Sequence, residues 1–90
     1  MLKVKEARSK ALIDQARELF IEYNDYLGID LEFQNFKEEL QNLPGDYIFP
    51  EGSIFLAYFN NKLAGCVALR KFEDYICEMK RLFVRVEFRG

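Results

Sequence analysis

The chain has 90 residues, half of them hydrophobic, with nine Phe, five Tyr and a formal charge of −2. That is one small domain, burying ~60–65% of its unfolded surface, with the composition of a globular chain and too little positive charge for a general nucleic-acid binder. The absence of His, beside only two Cys, excludes the usual zinc sets and every His-dependent triad.

No apolar run is long enough to span a membrane, and the stretch Met1 to Glu6 lacks a signal-peptide core. The expectation is a cytoplasmic protein with no nucleic-acid or membrane partner. Cys66 and Cys77 read as buried, reduced core thiols.

Leu2, Val4 and Ala7 alternate with Lys3, Lys5 and Glu6, which predicts a short first strand. Ser9 is placed to cap a helix. From Lys10 to Leu27 the residues Leu12, Ala16, Leu19, Tyr23 and Leu27 recur at helical spacing, with Ile13 and Phe20 widening the stripe. Gly28 ends the helix. The connection from Gly28 to Glu32 leads to a second predicted helix, with Phe36, Leu40 and Leu43 on its buried side and Pro44-Gly45 as its stop.

After a loop holding Pro50 and Gly52, the run Ile54 to Phe59 is apolar on both faces, as in a strand of a sheet covered on two sides. Asn60-Asn61 is a turn dipeptide that tolerates positive φ. Lys62 to Lys71 reads as the returning strand of a hairpin, with Leu63, Val67 and Leu69 among its core residues. Gly65 marks a close backbone approach or a bulge. A turn around Glu73-Asp74 leads into the last strand.

That strand changes phase. Cys77 and Met79 are apolar at odd positions, whereas Leu82, Val84, Val86 and Phe88 are apolar at even ones. A period of two cannot keep one core face through this change without an extra residue, so a β-bulge is expected near Lys80 and Arg81. Leu82, Phe83 and Val84 then read as core, and Arg85, Arg89 and Gly90 follow.

Glu78, Leu82-Phe83-Val84 and Arg89-Gly90, in this order, resemble the fourth strand of GNAT-type N-acetyltransferases and the start of their acetyl-CoA loop. Leu43-Pro44-Gly45-Asp46-Tyr47, Pro50-Glu51-Gly52 and Leu63-Ala64-Gly65-Cys66-Val67-Ala68-Leu69-Arg70 are similar to phrases of the same family, and the similarity runs over essentially the whole chain. The resemblance implies a truncated GNAT-like acyl-CoA N-acyltransferase fold of α/β (α+β) class, in the order β-α-α-β-β-β with a mostly antiparallel sheet. Residues 1–90 would form a single domain corresponding to the family domain's N-terminal half.

The resemblance further implies acetyl transfer from acetyl-CoA to a small-molecule or peptide amine. Leu82, Phe83 and Val84 would hold the cosubstrate's pantetheine arm through their backbone, and Arg89 and Gly90 would begin the pyrophosphate-binding loop. Glu78 matches a proton-accepting carboxylate. Tyr26, Gly28 and Ile29 match the region that shapes the acceptor site. Because the loop glycines do not follow Gly90, the chain alone is expected to be weak or inactive as an enzyme.

Each site residue also has an ordinary reading. Glu78 suits a solvated strand position, Lys80, Arg81, Arg85 and Arg89 suit solvated charges, and Tyr23 and Tyr26 suit helix packing. Two other roles follow from a fourth strand with a free edge. One is a non-enzymatic interaction module, most simply a homodimer; the other is half of a split acetyltransferase joined by a complementing chain.

Overall fold

The computed structural model describes residues 1–28, 36–48, 50–74 and 76–89. Strand β1 (Leu2–Glu6) is followed by helices α1 (Lys10–Leu27) and α2 (Phe36–Gln41), then strands β2 (Gly52–Phe59), β3 (Lys62–Glu73) and β4 (Ile76–Val84). Two short 3-10 turns, Gly45–Tyr47 and Val86–Phe88, flank the three later strands. The four strands form one antiparallel sheet in the order β1-β2-β3-β4. The expected element order and antiparallel meander are therefore present.

Helix α1 begins and ends where its capping chemistry places it. The Ser9 hydroxyl accepts the Leu12 backbone N–H at 3.2 Å, satisfying one donor of the open first turn. Gly28 takes the left-handed conformation, φ 68°, and its N–H closes on the Asp25 carbonyl. Ile13, Ala16, Leu19 and Phe20 are buried, and Leu12 and Tyr23 pack against that core. Leu27 shares the stripe but lies in the last turn and is exposed. Helix α2 ends at Gln41, before the expected stop at Pro44-Gly45. Leu43 lies outside it, although Leu40 and Leu43 still pack against the core beside buried Phe36. No helix is long and apolar enough to cross a membrane among the described residues.

Both helices lie on one face of the sheet. Tyr58 of β2 donates to the Gln15 side chain of α1, and Arg81 of β4 reaches Glu39 of α2. This face carries Ile54, Leu56, Ala64, Cys66, Ala68 and Phe83, all buried. The other face carries Leu2 and Val4 of β1, Phe55, Ala57 and Phe59 of β2, Val67 and Leu69 of β3, and Leu82 and Val84 of β4. Their register follows from the strand pairing. The β2 run was expected to be covered on both faces. Instead the helices cover one, and the second is left largely open among the described residues.

Two bulges explain where the expected core residues went. Ala57 pairs with Gly65 while Tyr58 pairs with Leu63, so Ala64 is an extra residue in β3. Leu63 and Ala64 thus both serve the helix side, Cys66 and Ala68 continue it, and Val67 and Leu69 turn to the open face. In β4, Ala68 opposes Lys80 but Cys66 opposes Phe83, and Arg81 has φ 57°. This is the expected bulge at the expected place. Its direction differs from the expectation: Arg81 and Phe83 turn inward, whereas Leu82 (59% exposed) and Val84 (38%) turn out. Cys77 is likewise exposed instead of buried. The strand ends at Val84, and Val86 to Phe88 form a 3-10 turn that sets the Phe88 ring 6.3 Å from that of Phe59.

Asn60 and Asn61 both have positive φ, 51° and 69°, the backbone a two-residue hairpin needs to match strand twist.

Candidate functional site

Strand β4 has β3 on one side and no strand on the other among the described residues. Along a sheet edge, alternate backbone N–H and C=O groups point outward without a strand partner. The bulge at Arg81 falls in the middle of this edge and increases the local bend. Immediately after it, Leu82, Phe83, Val84 and Arg89 line one end of a groove of about 590 Å³ that crosses the open face of the sheet to Leu2 and Val4 of β1. The structure thus brings together all the described residues expected to hold the cosubstrate. Gly90 lies outside the described residues, as does Ile29 of the acceptor set.

Arg89 joins the two predicted sets. Its Nη1 donates to the Tyr26 hydroxyl at 2.8 Å and its Nε to the Val84 carbonyl at 2.8 Å. The guanidinium lies 4.3 Å from the centre of the Tyr26 ring and 5.7 Å from that of Phe83, and the Tyr26 and Phe83 rings are 5.9 Å apart. Such stacking is an ordinary use of the flat, weakly hydrated guanidinium. Tyr26 is exposed and Gly28, next to it, caps α1 at the surface. The end of α1 and the end of β4 are therefore neighbours.

Glu78 does not reach this cluster. It sits before the bulge, opposite Arg70 in the β3–β4 register, and Arg70 Nη2 donates to its carboxylate at 2.6 Å. Its half-buried position is neither core nor fully solvated.

Two arginines bracket the groove segment, and neither is merely solvated. Arg81 is buried, and its Nε and Nη2 grip the two Glu39 oxygens at 3.0 and 2.9 Å. The Glu39 hydrogen bonds raise the pKa of this guanidinium, against the opposing effect of burial. Its carbon lies 5.3 Å from the centre of the Phe36 ring. Arg85 donates to both Glu22 oxygens, at 2.9 and 2.6 Å, and to Glu18 at 3.2 Å; its backbone N–H reaches the Ala64 carbonyl. Leu82 to Val84 is thereby held between an anchor to α2 and an anchor to α1. The phase change pointed to Arg81 as a place, but nothing local in the sequence named Glu39, 42 residues earlier, as its partner.

Of the two thiols, Cys66 is buried beneath the helices and donates to the Arg81 carbonyl at 3.4 Å. Burial pushes its pKa up to about 12, with the Glu22 charge adding to the rise. It is a core thiol and no nucleophile.

Comparison with known proteins gives this geometry its context. The chain is 48% identical over 81 residues to an uncharacterised N-acetyltransferase of Dictyostelium discoideum, covering 89% of this chain and 37% of that protein. It is 42% identical over 80 residues to an uncharacterised N-acetyltransferase of Schizosaccharomyces pombe, covering 87% and 49%. Its fold is similar to that of a GNAT-family acetyltransferase of Staphylococcus aureus Mu50, with a TM-score of 0.73 at 19% identity over all of this chain and 57% of that one. An acetyltransferase of Streptococcus agalactiae aligns with a TM-score of 0.68 at 20% identity, over 99% and 55%. The chain thus spans well under two thirds of the length of each of these relatives. The family model described as the acetyltransferase (GNAT) family matches residues 13–90: the chain belongs to the GNAT acetyltransferase family.

Proposed function

We propose that the outer edge of β4, from Arg81 to Val84, is an acetyl-CoA-binding edge, and that the protein serves acetyl transfer to an amine. The family generally uses acetyl-CoA. The observation that carries the reading is the bulge at Arg81 in a free edge strand, followed by Leu82, Phe83, Val84 and Arg89 at the β4 end of the open-face groove. An extended amide-bearing arm pairs with a strand edge as a further strand would, and the apolar groove suits its aliphatic parts. Arg89 is the one described cation of the expected loop at this groove. Its contacts with Tyr26 and Val84 would have to loosen for it to meet a phosphate.

The cosubstrate supplies an activated thioester. The chain's own part is to orient that group, donate a backbone hydrogen bond to its carbonyl oxygen, and accept a proton from the amine. Glu78 is the candidate acceptor. Its pairing with Arg70 means a water, or an opening of that pair, must carry the proton to it. Tyr26 and Gly28 stand beside the groove's end as acceptor-side surface.

Calorimetric titration of the chain with acetyl-CoA, with solution mass recorded on the same sample, tests this. Saturable binding with a Kd of about 10 µM to 1 mM, roughly −7 to −4 kcal/mol, is expected. A well-folded sample with no saturable heat at millimolar acetyl-CoA overturns the reading.

The open face of the sheet favours a second role. Leu2 and Val4 at the β1 edge and Leu82 and Val84 at the β4 edge are exposed apolar residues at the two ends of this face, and such surfaces mark interaction sites. A homodimer or a complementing chain would cover it, with no catalysis required of this chain alone. A dimeric mass without acetyl-CoA binding is the result that favours this role.

A further inference from the structure

The β4 bulge has a competitor that the hydrophobic pattern itself supports. Continue the pairing from Lys80 opposite Ala68 without an extra residue, and Leu82 falls opposite Cys66 and Val84 opposite Ala64. Leu82 and Val84 would then face the helices, and Phe83 would face out. A one-residue slip exchanges every side chain between the faces. The regular strand would bury two aliphatic residues where the observed strand buries one aromatic ring and an arginine. It would also remove the left-handed conformation at Arg81, which a residue with a Cβ adopts at a cost.

Something must outweigh both terms. The observed register places Arg81 where its guanidinium meets both Glu39 oxygens, at 3.0 and 2.9 Å, above the Phe36 ring. It places the Arg81 carbonyl where it accepts the Cys66 thiol, and Phe83 against the Tyr23 and Tyr26 rings, 6.0 and 5.9 Å away. In the regular register Arg81 would oppose Val67, on the open face, and Glu39 would lose its partner. Glu39 is half-buried, its side chain 19% exposed, and a carboxylate so placed that loses a two-bond charged partner is destabilised.

We propose that the Arg81–Glu39 pair selects the bulged register of β4, which makes Arg81 a positioning residue for the cosubstrate edge and α2 the element that holds it. Its use in binding rests on the proposed function; the choice of register does not. In some proteins an ion pair held away from solvent selects one arrangement over another even where an apolar pair would be equally stable, and the two arrangements here differ in which backbone groups line the edge.

The test is the double variant R81M/E39L, which removes both charges of the pair together and leaves no orphan. Cross-strand backbone contacts measured by NMR report the register without any ligand. In the parent chain Cys66 contacts Phe83. In the double variant we expect Cys66 to contact Leu82, with residue 81 in extended conformation. A folded double variant that keeps the Cys66–Phe83 contact overturns the proposal. Should it not fold, Glu39→Gln decides on the same contacts. A second set of signals linking Cys66 to Leu82 supports the proposal, and the Cys66–Phe83 set alone overturns it. Acetyl-CoA titration of the parent chain fails or succeeds independently of either result.

Discussion

The two faces of the sheet are made from alternate residues of the same strands, yet they differ in kind. On the helix side Ile54, Leu56 and Ala68 are wholly buried. On the open side Leu2, Val4 and Leu82 each keep more than half of their surface exposed. Their apolar character is similar; what differs is the cover. The helix side is a core, held by α1 and α2, while the open side is a surface on which apolar residues gain little until something docks. A pattern apolar on both faces therefore states what a strand can bury, and the helices present decide what it does bury.

The thiols offer the widest contrast, because Cys66 lies on the covered face and Cys77, opposite Lys71, on the open one. With its pKa pushed up to about 12, about one part in ten thousand of Cys66 is thiolate at pH 8, and the helices block access as well. Alkylation of the native protein followed by mass spectrometry is expected to modify Cys77 at least a hundredfold faster than Cys66. Equal rates would mean that the covered face opens readily. The same shift has a stability consequence. A thiol whose folded pKa is raised favours the folded state below its unfolded value near 9. That contribution is lost as pH rises toward 12, because the unfolded chain ionises first. Cys66→Ala should flatten this decline relative to the parent chain, as followed by urea unfolding at increasing pH.

Leucines sharpen the comparison by energy. Leu56→Ala empties a fully buried site and should cost about 2–5 kcal/mol, a large share of the ~5–10 kcal/mol expected of a domain this size. Leu82→Ala, on the open face, should stay within about 0.5 kcal/mol. Chemical denaturation of the two variants beside the parent measures both. A Leu82→Ala cost near that of Leu56→Ala would mean the open face is covered in solution.

What was legible in the sequence, and what was not, follows the same division. Local chemistry was legible. Ser9 and Gly28 bound α1, Asn60-Asn61 form the hairpin turn, and the phase change in β4 located the bulge. The facing of residues around the bulges was not. Leu82 and Val84, or Val67 and Leu69, are as apolar as any core residue, and period two is silent about which set turns inward. That choice was made by pairs far apart in the chain, such as Arg81 with Glu39 and Arg85 with Glu22. Among the site residues, Leu82, Phe83, Val84 and Arg89 share a groove, whereas Glu78 is held by Arg70 on the far side of the bulge.

Gly65 is the position where the contrast between faces should fail. It pairs with Ala57 and Val84, in register with the open face, yet it is buried between strands. A Cβ there would lie 2.5 Å from the Phe83 carbonyl oxygen and 3.2 Å from the Val84 Cα. Both are backbone atoms, which cannot swing aside as a side chain would. Gly65→Ala must then push β3 and β4 apart at the residues that follow the bulge, costing about 1–3 kcal/mol. Ala57→Gly, its cross-strand neighbour on the same face, should cost less. Thermal unfolding of the two variants checks the ranking. If Gly65→Ala proves neutral, β4 yields readily after the bulge, and Arg81 and Arg85 do not hold Leu82 to Val84 in place. If it is costly and weakens acetyl-CoA binding in proportion, the tight β3–β4 contact at Gly65 is part of what shapes the edge. Exposure to solvent would then be a poor guide to tolerance on this face, because what the glycine protects is the backbone path of the site.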